Sequence, residues 1–424
     1  MMATITSPAP APGLAPGAGA RPVPTAAAGP GAARLAEGML GIGLLLVPPL
    51  GAALAGPGGA VGGTALAAWA LVCVFSLSWC LVIGAAGGTE RSGPIAFVRE
   101  RLGPRAATAG TAMYLGGFVV GQAAIALAAG AYAAHALARF AAAGPRSNGV
   151  PFMAYPIGAS VLLTAAVLAW RGVALSAHAR RVRLIMVLAL AWSCWLRPDL
   201  LTDVAGVGHS VQDVLQLGLL MLFAAVGMES AVPASAETTA PTRRMLIGAV
   251  AGGIAVVGAV YAVPLQPLPA TDGPVSAGTE VTRALLGLLA AAVCGAYCLT
   301  NLRAAAGFLG ELRAVRSKVL EAERPATSVW WPAGAALLVL GLAAARGWDS
   351  GTLLTGPAVM TLAIYSTMLF AACGRQRPRP EALLAAVLLL AFAYAAGLTL
   401  LLPAAALLTA WLLHRSRWQP IRIG

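Results

Sequence analysis

The stretch "EGMLGIGLLLVPPLGAALAG", residues 37–56, decides how the rest of the chain is read. It is apolar over the length of about 20 residues that a helix needs to cross a bilayer. Yet it holds Gly38, Gly41 and Gly43, and then Pro48 and Pro49. Lipid offers no partner to a freed backbone amide, so a break in such a helix persists only where protein or a cavity meets it. Glycine lets the main chain unwind and be approached closely, and Pro48 withholds the amide that would bond back across that region. From the glycines alone, either a small-residue stripe for helix packing or an unwound functional segment fits. Gly117/Gly121 and Gly248/Gly252 read as packing stripes.

Outward from this stretch, the whole chain is membrane-like. Its 424 residues are 59% hydrophobic and 10% charged, with mean hydropathy +0.81, whereas soluble domains are about a quarter charged. Apolar stretches place about twelve spans, near residues 35–56, 61–84, 106–138, 151–169, 182–197, 212–230, 245–264, 282–308, 329–345, 352–373, 380–396 and 397–414. The expected architecture is therefore an all-α, multi-pass integral membrane protein, with a tight turn near Gly397. Residues 1–33, rich in Ala, Pro and Gly, read as a disordered tail without a cleaved signal peptide.

The basic residues set the expected orientation. With the amino terminus inside, only Arg139, Arg146, Arg197, Arg283 and Arg346 of the 28 basic residues fall outside. Arg171, Arg180, Arg181 and Arg183 then count as cytoplasmic, and by the positive-inside rule both termini are cytoplasmic. The net charge of +13 is spread over loops between spans, which argues against nucleic acid as a partner. Instead, "RERLGPR" (99–105) is expected to lie as an amphipathic helix on lipid headgroups.

Catalytic signatures are missing from the sequence. It has no GxSxG nucleophile elbow, no GxxxxGK[ST] loop and no HExxH. Cys294 and Cys298 share a helix face with no His or carboxylate nearby, and read as packing residues. No metal, no cofactor and no enzymatic activity are expected.

A second interruption lies five spans on from the first. In "LMLFAAVGMESAVPASAETTAPTRR" (220–244), Gly227 sits mid-span and Glu229 falls partly within the membrane. Interrupted helices at matching positions of two halves point to an inverted-repeat transporter with its site at the midplane. Free amides after the first break would attract a carboxylate, and carbonyls freed at the breaks would accept bonds from an ammonium group. A charge in mid-bilayer costs about 2.5–3.5 kcal/mol, so Glu229 needs a partner, whether it is a gate or a structural carboxylate.

Four stretches in order resemble the amino acid–polyamine–organocation (APC) permeases. They are "GMLGIGLLLVP" (38–48), "ERSGPIAFVRERLG" (90–103), "RGVALSAHARRVRLI" (171–185) and "FAAVGMESAVPASAETTAPTRR" (223–244), the last with Pro241 and Arg243 in register. The order is most like that of the bacterial methionine/branched-chain amino-acid exporter branch. The resemblance implies a LeuT-like, five-plus-five inverted repeat. The repeats would span residues 34–197 and 212–373, with two further helices in 379–414 and a basic tail at 415–424.

It further implies that Gly41, Ile42, Gly43 and Leu44 offer amides to a substrate carboxylate. Phe223 would cover the substrate as a gate, Ala224, Ala225 and Val226 before Gly227 would give carbonyls to the amine, and Glu229 would gate or couple protons.

Departures from the family pattern are equally specific. Ile42 lacks the hydroxyl that relatives often place between the two glycines, and Pro94 replaces an expected glycine. An apolar residue near Val187 stands where several relatives carry a sodium-replacing Lys. The small, apolar pocket residues favour an apolar or derivatised amino acid. Thr300 could sit near a sodium site, and Arg303 could pair inside the bundle or snorkel to the surface. The expected function is a secondary transporter of an amino acid or amino-acid-like compound in the cytoplasmic membrane, with proton or sodium coupling open. An importer or exchanger of another small amine, and a sensor that binds without transporting, are the alternatives.

Overall fold

In a computed structural model the chain is described at residues 36, 39–46, 61–89, 93–141, 150–196, 211–230, 232, 243–262, 277–316, 327–374, 379–405 and 407–408. These residues are helices and their connections, with no strand among them. In chain order they are α1 (Val61–Ala85), α2 (Gly93–Leu102), α3 (Pro104–Ala141), α4 (Val150–Trp170), α5 (Ala177–Leu196), α6 (Val211–Leu222), α7 (Arg243–Ala262), α8 (Ala277–Arg316), α9 (Trp330–Arg346), α10 (Ser350–Cys373) and α11 (Pro380–Ala396). The two terminal tails, the Pro48–Pro49 half of the first span and Pro241 lie outside the described residues.

Six stretches among the described residues are long and apolar enough to cross a membrane: Thr64–Ala85, Pro104–Phe140, Phe152–Trp170, Glu280–Leu309, Ser350–Cys373 and Pro380–Ala405. Val211–Ala225, Ile247–Ala262 and Trp330–Arg346 are shorter apolar helices. The chain is thus an all-α membrane protein. α8 does not stop at 308 but continues to Arg316, because "GELRAVR" supplies good helix formers beyond the apolar run. At Gly397, with φ +51, the chain turns through residues 397–400 and then resumes helix.

Close crossings fix the helices around α3. A Cβ on Gly158 of α4 would come within 2.5 Å of the Ala126 carbonyl oxygen, and one on Gly130 of α3 would run into the Ala154 backbone. On another side of α3, a Cβ on Gly287 of α8 would lie 3.0 Å from the Tyr132 carbonyl oxygen. Gly117 and Gly121 face Met360 and Pro357 of α10, as a packing stripe should. Gly248, by contrast, has open space around it, so the stripe expected there is corrected.

Polar side chains also pin helix to helix. Trp69 of α1 donates to the Gly258 carbonyl at 3.0 Å, and Trp79 of α1 to the Tyr365 carbonyl at 3.1 Å. Arg303 is exposed, as a snorkelling side chain would be, and donates to the carbonyls of Gly172 (2.8 Å) and Val173 (2.6 Å) just past the end of α4. Those carbonyls lie at a helix C-terminus, where a cation is favoured.

Candidate functional site

The first break is visible in the hydrogen-bond pattern. Leu40 N–H still bonds to Ala36 O at 2.8 Å, but the helix stops there. It resumes over Gly43–Leu46, with Leu44 N–H to Gly41 O and Leu46 N–H to Ile42 O. The amides of Gly41, Ile42 and Gly43 fall in the gap and give no helical bond. Tyr132 of α3 holds the resumed piece by donating to Leu45 O at 2.9 Å.

The second break follows α6. Phe223–Ala225 tighten into a short 3-10 turn, Val226 is extended (φ −60°, ψ 130°), and Gly227 takes φ +112° before a second 3-10 turn at Met228–Ser230. Only glycine tolerates that φ without strain of about 1–3 kcal/mol.

These two breaks touch. A Cβ placed on Gly43 would lie 2.8 Å from Ala224 Cα and 2.9 Å from the Tyr261 hydroxyl, so main chain meets main chain there. Together they border a cavity of about 440 Å³, within the range of small-ligand sites. The wall of this cavity takes the first half of α3 from Met113 to Ile125, the second half of α8 from Tyr297 to Phe308, and Pro94 of α2. It therefore extends from the breaks towards the α2 end of the bundle.

Most of the expected residues converge on this cavity. Gly41, Ile42, Gly43, Phe223, Ala224, Val226, Gly227 and Glu229 line it. Leu44 and Ala225 do not: both are buried behind the wall, at 1% and 0% exposure. The Ala225 carbonyl faces the Tyr365 hydroxyl at 3.3 Å. Phe223 lies across from α3, with its ring 3.9 Å from the Cβ position of Gly121.

Glu229, 5% exposed, is held by neutral donors. Gly227 N–H donates to its Oε2 at 2.7 Å and the Tyr365 hydroxyl to the same oxygen at 2.8 Å. Tyr114, on the same wall, has a buried hydroxyl with no hydrogen-bond partner among the described residues. No described cation lies within ion-pair reach of this carboxylate.

Arg183, counted from sequence with the cytoplasmic charge at the start of a span, also contributes to the site. It sits in α5 and lines the cavity, with its guanidinium 3.9 Å over the Tyr297 ring and donating to Thr300 Oγ1 at 3.0 Å. Thr300 thus holds a guanidinium where the sequence suggested space near a sodium ion. Val187, one turn on, is fully buried.

Sequence reasoning missed Arg183, Tyr297, Tyr365 and Tyr114 as site residues. A signal existed for two of them. Residues 183, 187 and 190 share one helical face, and Val187 and Leu190 are core. An intramembrane Glu also demands a donor, and Tyr365 is a hydroxyl-bearing residue deep in an apolar span.

No protein-family model matches the chain, and no curated protein matches it either.

Proposed function

We propose that the chain is a secondary transporter that moves an amino acid or amino-acid-like compound across a membrane by alternating access. The single observation behind this is the meeting of two broken spans, at Gly41–Gly43 and Phe223–Gly227, on one cavity of about 440 Å³. Three amides outside the helical ladder suit an anionic carboxylate. Carbonyls of the second break suit an ammonium group, which would make a zwitterion receptor built from main chain.

Helices that run unbroken resist bending, whereas each of these spans has a hinge at the site itself. Rocking of one half against the other would open the cavity to either side in turn. Glu229, bonded to a backbone amide and a tyrosine rather than to a cation, can take up a proton without leaving a partner cation unpaired. It is the natural point for proton coupling.

The test is counterflow in proteoliposomes with labelled apolar, acidic and basic amino acids, at two pH values and with and without sodium. The expected result is accelerated exchange of at least one amino acid over protein-free vesicles. A protein that binds ligands but accelerates none of them would be a sensor, and the transport reading would fall.

A further inference from the structure

Among the described residues, the cavity wall holds one cation, Arg183, with no carboxylate in ion-pair reach. Among the described residues lining it, only Arg183 and Glu229 are charged. Glu229 Oε2 already accepts from Gly227 and Tyr365. A guanidinium has five N–H donors in a planar fork, and among the described residues Arg183 uses one, to Thr300 Oγ1. Its Nε is buried without a hydrogen-bond partner, and no described carboxylate is within ion-pair distance of it. A partly desolvated cation left without an anion is costly, and arginine cannot shed its proton to escape that cost.

Its neighbours hold it in place rather than neutralise it. The Tyr297 ring lies under the guanidinium, and the Tyr297 hydroxyl reaches back to within 3.7 Å of the Cβ position of Gly41. Asn301, the residue after Thr300, adds an amide to the same stretch of wall. Tyr297 therefore links two positive sites: the free amides of the first break and the Arg183 fork.

We propose that Arg183 binds a second acidic group on the substrate, so that the cavity selects an acidic amino acid over a neutral one. This rests on the transporter reading for the place of the α-carboxylate and ammonium, and it replaces the apolar substrate expected from sequence. The guanidinium fork suits a carboxylate, with Asn301 as a supplementary donor.

The test uses the full chain purified in detergent, with L-glutamate and L-glutamine as isosteric probes and L-leucine as the apolar one. Ligand-induced thermal stabilisation is followed by counterflow in proteoliposomes. Glutamate should bind at least about tenfold tighter than glutamine or leucine, the factor expected for a charge-assisted hydrogen bond. Arg183→Met should remove that preference, and Arg183→Lys should retain part of it.

Equal or weaker binding of glutamate by the wild-type protein overturns the proposal, and needs no variant. So does an Arg183→Met protein that loses all ligands alike. Counterflow of leucine but not glutamate leaves the transporter and removes the acidic subsite. Arg183-dependent glutamate binding without any counterflow does the reverse.

Discussion

Two sets of glycines do opposite work in this molecule. At the α3–α4 crossing, Gly130 and Gly158 sit in unbroken helix, and each would drive a Cβ into the backbone of the other helix. At the breaks, Gly43 also meets foreign backbone, at Ala224, but next to it the helical ladder has lapsed and three amides are spare. Close approach is common to both places. What differs is whether the polar main chain is consumed by its own helix, and only where it is not can it hold something else.

The largest expected effect comes from the crossing. Gly130→Leu should prevent α3 and α4 from seating, at a cost upwards of about 3 kcal/mol, and the purified protein should be aggregated or absent on gel filtration. Next, Gly43→Leu should push the two breaks apart, because its Cβ would lie 2.8 Å from Ala224 Cα and 2.9 Å from the Tyr261 hydroxyl; segments outside the helical ladder can shift where packed helices cannot, so the protein should stay monodisperse but lose exchange. If Gly43→Leu aggregates like Gly130→Leu, the two sets are the same kind of packing contact.

A smaller effect is expected at the acid. Tyr365→Phe removes one of the two hydrogen bonds to Glu229 and should destabilise the protein by about 1–3 kcal/mol, seen as a lowered melting temperature. Glu229→Gln should keep the fold and flatten the dependence of counterflow on pH. An unchanged pH profile would leave Glu229 as scaffold for the Gly227 turn. Smallest of all is Gly248→Ala. Nothing surrounds that glycine on α7, so the substitution should be neutral or stabilise by up to about 1 kcal/mol. A loss of stability there would restore the packing stripe expected from sequence.

Helical class and most helix positions were legible because hydropathy reports the bilayer directly. The expected ranges 352–373 and 380–396 lie close to α10 and α11. α8 overran its expected end because helix propensity, not lipid, governs "GELRAVR". At the site, Gly41, Gly43, Gly227 and Glu229 could be read because breakers and an acid are conspicuous in apolar sequence. Tyr297 and Tyr114 could not, since a tyrosine in a span serves equally as core or as ligand, and only the three-dimensional partner tells which. Arg183 was hidden by its company. Next to Arg180 and Arg181 it counted with the cytoplasmic charge, yet the helical period puts it on the face of Val187 and Leu190, turned inward.

The central claim is that main-chain amides at the first break grip the substrate, and hydrogen–deuterium exchange of the peptide covering residues 37–47 tests it most directly. In ligand-free protein the amides of Gly41, Ile42 and Gly43 should exchange far faster than those in the middle of α3, and a transported amino acid should slow them selectively. Amides as protected as α3 without ligand, or unchanged when the cavity is filled, would contradict it.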